Sequence, residues 1–387
     1  MQSEHSSFSS RLATFEMAPP QEKMPPYEPC WCGSGKKWKW CHKDREHQNP
    51  VPIWQLMSDC RENQVVGYCL HPQADSSTCS TISRSHTIQR KGGLSTIAEA
   101  GHVLTPMREF RTDIESLASF EPRRVGIGTA STFMGFCGKH DNELFAPIEK
   151  RPMVIDQESA FLLSFRSVCY ELFSQECALK NVDIARDLDK GKPFWIQCVV
   201  QKDVQTKAAR FTESLEYVRR LRDRFVKTFD AQGGSEFHYH AFMFSERLPF
   251  VACGVFFLDL DINGNRLQLL DRECENFDQI CCNMTNLHNT AVAVFGWFDD
   301  NQSATRLVES LRRVRNHCLA NQLLFLLCDH IENMYLQLSW WSSLPDDSRD
   351  ALRSLFARGI DGSLRDPVNF ESRTCGLTAS LLDEWQG

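Results

Sequence analysis

Residues 28–43, EPCWCGSGKKWKWCHK, place three cysteines and a histidine within thirteen positions. A segment this short cannot bury enough apolar surface to fold on its own. Cys30, Cys32, Cys41 and His42 supply three sulfurs and one imidazole, a donor set that closes a tetrahedral zinc site. Metal binding would then provide the folding free energy, about 10 kcal/mol or more. Gly33 and Gly35 follow the first cysteine pair, where the backbone has to turn tightly. Pro25, Pro26 and Pro29 stiffen the approach. Lys36, Lys37, Lys39, Lys43 and Arg45 add positive charge, and Trp38 and Trp40 add flat aromatic faces. Such a surface suits a nucleic-acid backbone or an acidic protein. The other use of the tryptophans is as a cover for the metal knob.

The phrase PCWCGSGKKWKWCH resembles the SEC-C motif in ligand spacing, in its Gly-Ser-Gly and in its double lysine. That motif is the zinc-binding tail of the bacterial preprotein translocase ATPase and an appendage on many other bacterial proteins. The resemblance implies a bacterial chain with a docking element whose partners are an export chaperone, another protein or the ribosome. It covers about twenty residues and implies no reaction. No GxxxxGK[ST] phosphate loop accompanies it, so ATPase chemistry is not carried over.

The chain of 387 residues is long enough for two or three domains. Its formal net charge of -7 provides no global basic field, so any nucleic-acid contact has to be local. No run of eighteen apolar residues marks a membrane span. Residues 1–24 read as a polar, disordered tail without the apolar core of a signal peptide. The 17 cysteines are then expected to be reduced in the cytoplasm. Cys169, Cys198, Cys253 and Cys328 lie in apolar runs and read as core.

A second constellation occupies residues 50–152. Cys69, Cys79, Cys137 and His140 are the expected ligands of a second zinc, with His71 and His86 as substitutes. FCGKHDNELF reads as a knuckle that opens a short helix, a treble-clef-like arrangement. The order of elements also resembles HNH-type endonucleases. That resemblance implies His86, in SHTIQR, as the catalytic base, Arg84 and Arg90 on flanking phosphates, and a Mg2+ or Mn2+ ion on the scissile phosphate. The sequence departs from the HNH pattern in three ways. The first ligand pair is spaced by nine residues, Ser85 stands where a doubled histidine or an Asp-His is usual, and no asparagine lies shortly before Cys137.

Residues 153–387 alternate helical and strand patterns and read as a larger mixed or antiparallel sheet domain with helices. FHYHAFMFSE, FVACGVFFLDLD, RLQLLD and NTAVAVFGWF are the expected strands. DLDINGNRLQ imitates a calcium loop, but Asn263-Gly264 reads better as a hairpin turn. Glu332 and Asn333 belong to no motif of readable spacing. The expected class is α+β: a SEC-C zinc knuckle over 25–48, a treble-clef or HNH-like module over 50–152 and the α+β domain. The expected function is a zinc-dependent recognition protein that docks through Lys36, Lys37, Trp38, Lys39, Arg84 and Arg90. The alternative is an HNH-like endonuclease. The phrases FC..HD..LF and SWW..L look similar to bacterial proteins, some encoded near phage-defence genes, so that alternative would be a defence effector.

Overall fold

The computed structural model describes residues 18–75, 77–79, 81–106, 121–150, 153–230, 236–269, 277–358 and 374–387. The tail expected over 1–24 lies, up to residue 17, outside the described residues. The chain has the expected α+β class and divides into two compact units. The first comprises residues up to Val66 together with Ser174–Arg219; the second comprises Gly67–Phe173 and Arg220–Gly387.

In the first unit the N-terminal knob precedes helix α1 (Ile53–Val65). The later insertion is a helical hairpin. It takes in the end of α3 (Gln157–Ala185), a 3-10 turn at Arg186–Asp189 and most of α4 (Phe194–Asp230). Gly191 in the hairpin turn has φ +72, a left-handed value that disfavours any side chain. Asn63 of α1 donates to Asn181 Oδ1 at 2.9 Å, and Cys177 Sγ to the Asn63 carbonyl at 3.3 Å. One apolar cluster of this unit comprises Cys30, Trp31, Cys32, Trp38 and Cys41, with Met24, Phe194 and Cys198 packed against them.

Among its described residues the second unit holds two antiparallel sheets. Strands β1 (Ile82–His86) and β4 (Thr132–Cys137) form the smaller. The larger has eight strands in the order β10-β5-β8-β7-β6-β9-β2-β3. These are β2 (His102–Thr105), β3 (Arg123–Gly126), β5 (Phe237–Phe244), β6 (Phe250–Phe257), β7 (Gln279–Leu287), β8 (Thr290–Phe298), β9 (Met334–Leu336) and β10 (Leu381–Gln386). The central strands β6 and β8 are near-continuous apolar runs because both faces are covered. On one face Phe250, Ala252, Met284, Ala293 and Phe295 pack with α5 (Gln302–Arg312), α6 (Leu319–His330) and α7 (Asp346–Arg358). On the other, Val251, Cys253 and Tyr335 pack with Ile88, Leu94, Ile97 and Val103.

Two readings of the sequence change here. RLQLLD is not a strand: Arg266 makes a single bridge to Leu260, and residues 270 and 271 are outside the described set. The turn before it is the expected one, since Asp261 Oδ1 accepts from the amides of Asn263 and Asn265 at 2.9 and 2.8 Å and Gly264 sits at φ +81. QICCNMTNL, which carries two asparagines and a threonine, is the central strand β7. Its asparagines make hydrogen bonds outside the sheet, although Asn283 Nδ2 is buried with no hydrogen-bond partner among the described residues. Asn286 bridges the Leu248 carbonyl and Thr96, and Asn283 Oδ1 accepts from Ser167.

Candidate metal centres

The knob is held by its own backbone. Cys30 N donates to the Lys36 carbonyl at 2.9 Å and Trp38 N to the Glu28 carbonyl at 2.8 Å. Gly33 and Gly35 have φ +70 and +72, so the two turns require glycine. The 3-10 turn Trp38–Trp40 then delivers Cys41 and His42.

The ligating atoms of Cys30, Cys32, Cys41 and His42 lie within 4.8 Å of one another, and all four residues are buried. His42 Nδ1 is 3.3 Å from Cys30 Sγ and 3.2 Å from Cys41 Sγ; Cys32 and Cys41 sulfurs are 3.5 Å apart. Donors at zinc distances in a tetrahedron are separated by about 3.5–3.8 Å. A disulfide needs sulfurs about 2.0 Å apart, and every described cysteine is free. The donor set, its burial and its spacing therefore fit a zinc ion. Hydrogen bonds from Cys30 and Cys41 pull the Cys32 thiol far below its ordinary range, and Cys30 is pushed far up because it shares its proton with Cys32. Burial pushes His42 down, but the Asp189 carboxylate and the Cys32 and Cys41 thiols outweigh it and lift His42 to about 10. Surroundings that raise affinity for a proton at that nitrogen raise it for a metal cation as well.

This segment is a SEC-C motif. The family model matches residues 28–44, and the four-residue cluster falls inside that span. No curated protein and no solved structure matches the chain.

The second cluster is assembled from distant sequence. Cys69, Cys79, Cys137 and His140 also bring their ligating atoms within 4.8 Å, with Cys137 and His140 buried and the other two half-buried. Residues 68–70 run beside β4, with Tyr68 N donating to the Met134 carbonyl at 3.2 Å and Leu70 N to that of Gly135 at 2.8 Å. Gly67 starts this run, and any Cβ there would collide with the Met134 carbonyl. Asp75 holds the next loop by accepting from the amides of Ser77 and Thr78, and Cys79 N donates to the Asp75 carbonyl at 3.0 Å. Cys137 ends β4 and caps helix α2 (Gly138–Leu144), its sulfur accepting from His140 N at 3.5 Å. His140 Nδ1 lies 3.4 Å from Cys69 Sγ and 3.3 Å from Cys79 Sγ, again tetrahedral spacing. His71 stacks on His140 at 3.9 Å between ring centroids.

His86 joins neither cluster. It is half-buried at the end of β1, with Nε2 3.2 Å from the Ile127 carbonyl, and burial pushes its pKa down. Arg84 and Arg90 are exposed. On the knob, Lys36, Lys37 and Lys43 are exposed. Lys39 Nζ sits 4.0 Å from the Tyr27 ring and 4.4 Å from the Trp40 ring. Tyr27 and Trp40 are 66% and 72% exposed.

Two expectations about the knob's surface are corrected. Trp38 is buried within the knob, so Trp40 alone of the two tryptophans faces outward. Arg45 is also buried, because its guanidinium pairs with Asp189 at 2.5 Å. Of the cysteines read as core, Cys169, Cys253 and Cys328 are buried, while Cys198 is half-buried and packs against the knob. Sequence reasoning missed Tyr27, Trp31 and Asp189. Trp31, 2% exposed, packs on the His42 ring at 4.7 Å. Tyr27 lies outside the metal spacing, and Asp189 lies 147 residues from the histidine it binds.

Proposed function

We propose that the chain is a recognition protein whose zinc-held SEC-C knob docks on single-stranded nucleic acid, free or on a ribosome. The observation that carries this reading is the exposed Tyr27 and Trp40 rings beside the half-buried Lys39, together with exposed Lys36, Lys37 and Lys43. Flat rings offer stacking faces to any base, and the ammonium groups meet the backbone. The net charge of -7 over the whole chain confines such attraction to this patch. Reduced cysteines at these spacings favour a cytoplasmic location. Fluorescence anisotropy with a labelled single-stranded RNA, at two salt concentrations, tests the reading. Salt-sensitive binding that falls with Trp40→Ala and Lys37→Ala supports it. Binding of an acidic protein or peptide but not of RNA would replace the nucleic acid by a protein partner, such as an export chaperone.

The second reading is an HNH-like nuclease with His86 as base. The antiparallel β1–β4 pair running into α2 favours it through element order alone. Against it, the two carboxylates that couple electrostatically to His86, Glu149 and Asp141, both face Arg166. Arg166 is 2.8 Å from Glu149 and 3.9 Å from Asp141. Cleavage of DNA or RNA with Mg2+ or Mn2+ that disappears in His86→Ala would overturn the docking-only account.

A further inference from the structure

The SEC-C resemblance ends within the motif, but the hydrogen bonds around its histidine do not. His42 offers Nδ1 to the sulfurs of Cys30 and Cys41 and turns Nε2 toward a carboxylate. Nε2 lies 2.9 Å from Oδ2 of Asp189, in the turn between α3 and α4. A carboxylate can only accept here, so Nε2 carries the hydrogen and the Nδ1 lone pair faces the thiols. Asp189 is 0% exposed, and a buried carboxylate persists only when its charge is met. Arg45 Nε meets Oδ1 at 2.5 Å, and Gln201 Nε2 donates to Oδ2 at 2.7 Å.

The network closes back on the motif. Arg45 also donates to the Arg186 carbonyl at 2.7 Å, and Arg186 donates to the Cys32 carbonyl at 3.0 Å and to Gln201 Oε1 at 3.2 Å. Phe194, at the start of α4, meets the edge of Trp31, which itself covers His42. The ligand ring is thus fixed by a carboxylate, that carboxylate by an arginine of the knob and a glutamine of α4, and the ring's face by packing.

We propose that Asp189 is the positioning residue of the knob's metal site, and that Arg45 and Gln201 hold it in place. Asp189 selects the His42 tautomer that presents Nδ1 to the metal and makes that nitrogen a stronger donor. The helical hairpin is therefore part of the metal site rather than a separate body to which the motif is attached. The inference rests on the zinc reading of the motif. Carboxylate partners of ligating histidines typically contribute about 10–100-fold to metal affinity.

The test uses the full chain, in wild-type, Asp189→Asn and Gln201→Leu forms. Zinc affinity is read by competition with a chromophoric chelator, and the His42 tautomer from a long-range proton–nitrogen NMR spectrum of the zinc-loaded protein. In the wild type, His42 is expected as the Nε2–H form with Nδ1 on the metal. Asp189→Asn is expected to weaken the knob site about 10–100-fold, and Gln201→Leu less, with the second site unchanged. Zinc bound by the wild type with Asp189→Asn within twofold of it would overturn the positioning role while leaving the zinc reading intact. Loss of zinc from both sites together in Asp189→Asn would also overturn it, because the effect would then be global. A wild-type chain without zinc at the knob would overturn both.

Discussion

The two Cys/His clusters use the same donor set and differ in how the chain brings the donors together. The knob takes all four from residues 30–42 and buries every one. The second cluster spans residues 69–140 and leaves Cys69 and Cys79 half-exposed. The knob's histidine is fixed by a buried carboxylate, whereas His140 is held by stacking on His71. A local site can be made by turns and glycines, and then needs distant residues only to orient it. A non-local site needs the strand pairing first: residues 68–70 reach Cys137 only because they run along β4.

The largest expected difference follows from removing one sulfur. Cys32→Ser should abolish zinc at the knob and loosen residues 24–48, since metal binding supplies much of the folding free energy of so short a segment. Cys137→Ser should empty the second site while the eight-stranded sheet persists, because that sheet has its own large core. Elemental analysis with circular dichroism distinguishes these outcomes. Sheet unfolding in Cys137→Ser would show that the second metal is as indispensable as the first.

Next in size is Gly67→Ala. A Cβ there meets the β4 backbone, so residues 67–70 must lift away and carry Cys69 with them. The second site should lose most of its zinc affinity, by tenfold or more in chelator competition, and the knob none. Unchanged affinity would mean that Cys69 is not a ligand.

Acidification ranks third. Metal binding requires deprotonated thiols, so both sites weaken as pH falls. The half-exposed second cluster is expected to release its zinc at a higher pH than the buried knob, which a zinc-sensitive dye would record as two steps. Release in the reverse order would contradict the contrast in burial.

Trp40→Ala should leave both metals in place and cost about 1–3 kcal/mol of RNA affinity, the usual worth of one stacked base. The smallest effect is expected at strand β10, remote in sequence from both clusters. Arg312 donates to Glu384 at 2.9 Å and, ahead of the other influences, holds its carboxyl below the ordinary value of 4.5. A depressed carboxyl stabilises the fold above its unfolded pKa and loses that contribution as pH falls through the folded value. Protection of the β10 amides, relative to the intrinsic exchange rate, should therefore fall below about pH 4.5 in the wild type and change less in Glu384→Gln.

The knob was legible in the sequence because its ligands and glycines are neighbours. The eight cluster residues could be named there because cysteine and histidine have few other uses at such spacings. The α+β class followed from the alternation of helical and strand patterns. What stayed hidden depends on pairing at a distance. Nothing near Asp189 marks it as the partner of His42, and nothing in QICCNMTNL says that Asn283 meets Ser167 or that Asn286 meets the Leu248 carbonyl. Trp38 and Trp40 look equivalent in sequence, two residues apart, yet the 3-10 turn directs one inward and the other outward.

The central claim is that two separate sets of thiolates and histidines hold metal in this chain. Zinc stoichiometry on freshly purified, reduced full-length protein tests it most directly. Two zinc ions per chain are expected, falling to one in Cys32→Ser and to one in Cys137→Ser. A folded, reduced wild-type chain that contains no metal would contradict it.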